Sequence, residues 1–312
     1  MDLSLWPWGL FGVLMLSALA LDLGLFRSRR VEQRELTLRE AAARTVAWAA
    51  LSLLFGLVVL ALYGEYAALS YVTAYLLEQS LSADNVFVFL LIFSELRVPP
   101  AQQRGVLLWG VIGALVMRAV LIAAGLFLLN RFHWVVYPFA ALIIFAAVRL
   151  LWGGQKQREL VVAACAICST WVARIIPITP QYHGVRFWVR QGGRLVATPL
   201  LVALVIVETT DIVFALDSVP AVLAVTREPF IVYTSNIFAM LGLRSLYFVL
   251  AGVVERFRFL RVGLAAILIF FGVRLLLDDV LEVPTGASLG VIAVALALSV
   301  AASLKWPTAA ST

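Results

Sequence analysis

Five carboxylates stand in runs of otherwise apolar sequence. Glu78 and Asp84 lie within 67–94, and Glu208, Asp211 and Asp217 lie within 197–221. Asn85, Thr209, Thr210, Ser218 and, one run later, Asn236 add neutral oxygen. The donors are all oxygen. Carboxylate, amide and hydroxyl oxygens suit hard divalent ions such as Mn²⁺, Mg²⁺ or Ca²⁺, whereas Cu⁺ and Zn²⁺ are better served by sulfur and imidazole. Acids in apolar surroundings can also be neutralised by protons. The chemistry on offer is therefore binding of a divalent cation, of protons, or of the two in turn.

The elements that must position these acids follow from composition. Of 312 residues, 63% are hydrophobic and 13% charged, against roughly 25% charged in soluble domains. The mean hydropathy is +1.01. A soluble globule could not hide that much apolar surface, so the chain reads as a polytopic membrane protein. Nine stretches reach the roughly 20 residues a spanning helix needs: 4–26, 44–63, 67–94, 105–129, 134–152, 197–221, 230–252, 259–277 and 286–304. Strand-like alternation is absent, and open backbone is not tolerated in lipid, so the spans are helices and the fold is all-α. Thr37 and Glu40 have capping-box spacing and mark a helix start before the second span.

Charge sets the expected orientation. With the N-terminus outside, 18 of 24 Lys and Arg fall on the inner side: six in 27–44, two in 95–104, six in 153–196, three in 253–261, and Lys305. Only Arg131 and Arg227 fall outside, and the outer loop 278–285 carries Asp278, Asp279 and Glu282. The net charge of +6 is thus a topology signal and gives no support to a nucleic-acid partner. The opening MDLSLWPWGLF lacks the positive region of a cleaved signal peptide. Asp22 is expected to pair locally with Arg27, Arg29 and Arg30. The two cysteines, Cys165 and Cys168, form one C-x-x-C in the inner loop 153–196, at most half a zinc site. Packing is the preferred reading of that pair, and the loop stretch 160–180 is expected to lie along the membrane surface.

The chain also repeats. LIIFAAVRLLW (142–152) aligns without gaps on ILIFFGVRLLL (267–277), setting Arg149 against Arg274, and the register extends to Arg131-Phe132 against Arg256-Phe257. Glu78 precedes Asp84-Asn85 by six residues, as Asp211 precedes Asp217-Ser218. Spans three to five (67–152) thus recur as spans six to eight (197–277). An odd number of spans inverts the second copy. Inverted repeats in a single transmembrane domain are typical of secondary transporters, with the site near the midplane where the repeats meet.

An acid at mid-bilayer costs roughly 2.5–3.5 kcal/mol on insertion scales, so five of them need partners. Arg149 and Arg274 lie near span ends and are expected to snorkel outward. That leaves Arg118 and Arg244, at matching places in spans four and seven, and about three acids unmatched. At about 100° per residue, Glu208 and Asp211 share a helix face, while Asp217 points away from Glu208 on a straight helix. A break at Leu216–Pro220, with a symmetric one at Ala83–Asn85, is expected to turn Asp217 and Asp84 toward the others.

LEQSLSADNVFVF (77–89), VETTDIVFALDSVPAVLAVT (207–226), YHGVRFWVR (182–190) and LDLGLF (21–26) resemble the signatures of the TerC (tellurium-resistance C) integral membrane family, and the chain most resembles its Alx-type members. The resemblance covers nearly the whole chain. It implies a bacterial inner-membrane exporter of Mn²⁺, with Glu78, Asp84, Glu208, Asp211 and Asp217 as metal ligands and Asn85 and Ser218 beside them. Exchange of Mn²⁺ for protons is the expected coupling, with Arg118 and Arg244 holding the charge of the empty site. The rival expectation is a metal-binding membrane scaffold that transports nothing. An intramembrane aspartyl protease is disfavoured, because Asp84 follows Ala83 and Asp217 follows Leu216, not the Tyr-Asp and Gly-x-Gly-Asp pairs of those enzymes.

Overall fold

The structure is a computed structural model that describes residues 6–22, 37–151, 154–251, 259–278, 280 and 283–306. Its helices are α1 (Trp6–Asp22), α2 (Leu38–Tyr63), α3 (Glu65–Glu95), α4 (Pro100–Arg131), α5 (Val136–Leu151), α6 (Gly154–Ile175), α7 (Pro199–Leu223), α8 (Pro229–Ala251), α9 (Leu260–Leu277) and α10 (Thr285–Lys305). Among the described residues, eight helices are long and apolar enough to cross a membrane; α1 has a shorter apolar run, Trp6–Ala18. Arg27, Arg29 and Arg30, the side chain of Asp22, Arg256-Phe257 of the repeat register, Asp279 and Glu282 lie outside the described residues.

Local chemistry explains where the helices begin. Thr37 accepts from the Glu40 backbone N–H, and Glu40 Oε2 accepts from the Thr37 N–H at 3.0 Å, the capping box expected before α2. Pro100, Pro199 and Pro229 open α4, α7 and α8, where a missing N–H costs nothing. A single residue, Gly64 at φ +84, separates α2 from α3, a backbone state that favours glycine.

The expected helix breaks do not occur. Helices α3 and α7 are continuous through Ala83–Asn85 and Leu216–Pro220. Pro220 falls in the last turn of α7; it forfeits only the one bond its N–H would have made to the Leu216 carbonyl, and Ala224 N–H still reaches the Pro220 carbonyl.

Packing around the centre is symmetric between the helix triplets α3–α5 and α7–α9, as an internal repeat requires. Helix α3 packs along α8 as α7 packs along α4, and α5 lies against α9. The last pair approaches closely: a Cβ on Gly272 of α9 would sit 2.6 Å from Ile144 Cγ1 of α5. Helices α3 and α8 are the most enclosed, which places the polar residues of α3 in the protein interior.

Between α5 and α7 the structure adds detail within the all-α membrane fold: α6 is followed by a small hairpin of β1 (Trp188–Gln191) and β2 (Arg194–Ala197). Gly192 and Gly193, at φ +56 and +78, make its two-residue turn. Tyr182 donates to the Leu96 carbonyl at 2.8 Å, holding this segment on the α3–α4 turn.

Candidate cation site

The buried centre is built on Arg118 of α4, 1% exposed. Its guanidinium contacts the Glu78 carboxylate of α3. Its Nε donates to Asp211 Oδ2 of α7 at 3.4 Å, and Nη1 donates to Asn236 Oδ1 of α8 at 3.4 Å. Four helices, two from each repeat, thus converge on one cation. Glu78 and Asp211 are the two acids that stand six residues ahead of Asp84 and Asp217. The centre holds two carboxylates for one guanidinium. Among the described residues, Glu78 Oε2, Asp211 Oδ1, Arg118 Nη2 and Asn236 Nδ2 are buried without a hydrogen-bond partner. Orphaned polar atoms at such a density are uncommon away from functional sites.

A void of about 10 Å³ adjoins Asp211, bounded by Phe89, Leu107, Val111, Val207 and Met240. That is about the room one water needs. Near the α3–α4 turn, Tyr247 of α8 donates to Gln103 Oε1 at 2.8 Å and stacks edge-on against Phe93 at 5.7 Å.

The remaining acids are distributed around this centre. Glu208 lies against α4 at Gly113, where a Cβ would overlap its carboxylate, so it shares the α4-facing side of α7 with Asp211. Asp217 points elsewhere, as a straight helix demands, and pairs with Arg149 of α5, whose guanidinium also lies 5.9 Å from the Phe214 ring. Asp84 lies 3.7 Å from Arg261 Nε of α9, and that guanidinium is 4.1 Å from the Phe87 ring. Asn85 and Ser218 are both buried, and Ser218 Oγ has no hydrogen-bond partner among the described residues. Arg244 is half-buried on α8. Thr209 and Thr210 turn their hydroxyls back to the carbonyls of Val205 and Ile206, both at 2.7 Å. Among the described residues, no three of His, Cys, Asp and Glu are grouped to hold a metal ion.

Three arginines escaped the sequence reading. Arg149 does not snorkel out. It lies in the last turn of α5, and helix side chains lean toward the N-terminus, so its head is carried back into the span. Arg274 behaves alike: it is 8% exposed and donates to Ser288 Oγ at 2.8 Å. Arg261 reads as an ordinary loop cation in the sequence, yet it opens α9 beside Asp84. With Arg149 and Arg261 included, fewer acids stand unmatched than the sequence implied.

Outside the spans, Cys165 and Cys168 on α6 are free thiols. Burial pushes the Cys165 thiol up to about 11, with Glu95 and Cys168 nearby adding to the effect. A thiol so held is protonated and a poor nucleophile at neutral pH.

Among the described residues, eight long apolar helices, with matched packing around a buried carboxylate–arginine centre, define a multi-pass membrane protein. The chain belongs to the integral membrane protein TerC family, whose model matches residues 63–311. It is a multi-pass inner-membrane protein, in keeping with that family. It is 45% identical to the uncharacterized membrane protein STKORF319 of Myxococcus xanthus over 95% of this chain and 91% of that one. It is 42% identical to the "Putative membrane-bound redox modulator Alx" of Photorhabdus laumondii, over 94% and 92%. The protein of the same name in Escherichia coli K12 is 41% identical over 91% and 90%. No solved structure matches the chain significantly.

Proposed function

We propose that this protein exports divalent manganese across the inner membrane, exchanging it for protons by alternating access. The observation that carries the reading is the sharing of Arg118 by Glu78 and Asp211, one acid from each repeat. Two carboxylates facing one guanidinium leave a net negative charge in a low-dielectric centre, where charge interactions are strong. A divalent cation entering from the cytoplasm displaces the guanidinium and neutralises both acids. Arg118 then acts as the internal cation of the empty site, returning when the ion leaves. Glu208 lies beside the centre on the same side of α7 and supplies a further ligand or a proton site. Asp84, Asp217, Asn85, Ser218 and Arg244 line the approaches. An all-oxygen donor set suits Mn²⁺, with Ca²⁺ and Mg²⁺ as its competitors.

Flux tests the reading. Protein reconstituted in proteoliposomes is expected to pass Mn²⁺, with uptake that depends on a proton gradient and is competed by Ca²⁺ and Mg²⁺ more than by Zn²⁺. Glu78→Gln and Asp211→Asn are each expected to cut flux at least about tenfold, equal to losing ~1.4 kcal/mol of binding. Parental flux in both variants would sink the site assignment.

The second reading is a metal-binding scaffold that transports nothing. It draws on the folded segment between α5 and α7, with its hairpin and the exposed Leu160, Ile167 and Trp171 of α6. Saturable Mn²⁺ binding without flux is its signature. The redox role named for the Alx relatives is a poorer fit, because the buried Cys165 thiol is held protonated.

A further inference from the structure

The two repeats carry an arginine at the same place but give it different partners. Arg149 near the end of α5 and Arg274 near the end of α9 are each followed by two leucines. Arg149 pairs with Asp217 of α7. The residue equivalent to Asp217 is Asp84 of α3, yet Arg274 is bonded to Ser288 of α10, and Asp84 has Arg261 as a neighbour. The packing mirrors this difference: α5 lies along α7, whereas α9 touches α3 only lightly. The asymmetry therefore resides in how the α5–α9 pair sits on the central four helices.

Inverted repeats in a transporter exchange conformations when the site changes sides, so unlike surroundings for equivalent residues mark one of two states. We propose that the Arg149–Asp217 ion pair is a latch of the state described here, and that in the opposite-facing state Arg149 releases Asp217 while Arg274 leaves Ser288 and takes Asp84. The proposal rests on the alternating-access reading above and names the residues that switch. It also bears on coupling. In the repeat register Val136 stands where a counterpart of Arg261 would be, so a released Asp217 finds no arginine at the symmetric position. A bare carboxylate in a span is costly, so opening the latch leaves a charge on Asp217 that the opposite-facing state must compensate.

Cross-linking tests the exchange. In full-length protein with Cys165→Ser and Cys168→Ser, the pairs Arg149→Cys/Asp217→Cys and Asp84→Cys/Arg274→Cys are each oxidised in proteoliposomes, with and without Mn²⁺. Both pairs are expected to cross-link, and conditions that raise one yield lower the other. Folded protein in which the Asp84/Arg274 pair never cross-links would overturn the exchange. A second measurement avoids introduced cysteines at the latch. Arg149→Gln and Arg274→Gln are expected to shift maleimide labelling of Gln103→Cys in opposite directions, each by about fivefold or more, the lower range of a conformational coupling. Shifts in the same direction, or none, would equally refute it. Neither readout needs flux. Both cross-links without Mn²⁺ flux in the Cys165→Ser/Cys168→Ser parent would keep the exchange and remove the transport reading; flux without the second cross-link would do the reverse.

Discussion

Glu78 of α3 and Asp211 of α7 stand at equivalent places in the two repeats and meet on one guanidinium, that of Arg118. Their separation in sequence is large, and α4 supplies the cation that joins them. The centre is thus shared by the repeats, and neither repeat alone could form it.

Removing that cation should be more damaging than removing its partners. Arg118→Ala leaves two buried carboxylates facing each other, and breaking a buried pair costs about 3–5 kcal/mol. A marked fall in melting temperature in detergent is expected. Adding Glu78→Gln and Asp211→Asn to Arg118→Ala should restore much of the loss, because the uncompensated charges are then gone. A triple variant as unstable as Arg118→Ala would show that the guanidinium serves packing instead.

Gly113 should be intolerant of a side chain for a reason specific to Glu208. A methyl at this position overlaps the Glu208 carboxylate. Gly113→Ala is expected to move that carboxylate and lower Mn²⁺ flux while the protein remains folded. Gly113→Ala combined with Glu208→Gln should be no worse than Glu208→Gln alone. Additive losses would place the effect of Gly113 elsewhere.

The Tyr247–Gln103 hydrogen bond should act as a seal. Tyr247→Phe deletes the donor and leaves Gln103 Oε1 unpaired, for a cost of about 1–3 kcal/mol. A cysteine replacing Val207, which lines the void beside Asp211, should then react faster with a hydrophilic thiol reagent in a Cys165→Ser/Cys168→Ser background. Equal rates with Tyr or Phe at 247 would remove the seal from consideration.

The two native thiols should be separable by pH. Cys165 has its thiol raised to about 11, so it stays protonated below that pH, with only about one part in 10⁴ as thiolate at pH 7. Iodoacetamide should modify the half-buried Cys168 first, and alkylation of Cys165 should climb only as pH approaches 11. Mass spectrometry of the peptide carrying both residues decides it. Rapid modification of Cys165 at pH 7 would reopen a redox role.

Much of this protein is legible in one dimension. Lipid forbids open backbone, so long apolar runs must be helices, and acids inside them announce themselves by contrast with their neighbours. The spacing that relates Glu78 to Asp84 and Asp211 to Asp217 reveals the repeat because it is local to each helix. Helical periodicity also has Asp217 facing away from Glu208, as found. The Gly192-Gly193 pair beside Trp188-Val189 carries a hairpin signal that a purely helical reading overlooks.

What periodicity cannot supply is the neighbour. A helix face is set by residues three and four apart, but an ion pair is closed by a chain segment far away. Arg149 and Asp217 are 68 residues apart, and Arg118 and Asp211 are 93 apart. Arg149 resembles a snorkelling cation until α7 is seen beside it, and Arg261 resembles a loop cation until α9 is seen to begin at Asp84. The sequence by itself determined the membrane helices, their repeat and the acids buried in them, because solvent and helical geometry act within each segment. Only the tertiary structure decided which arginine meets which acid, because that depends on how helices distant in the chain pack against one another.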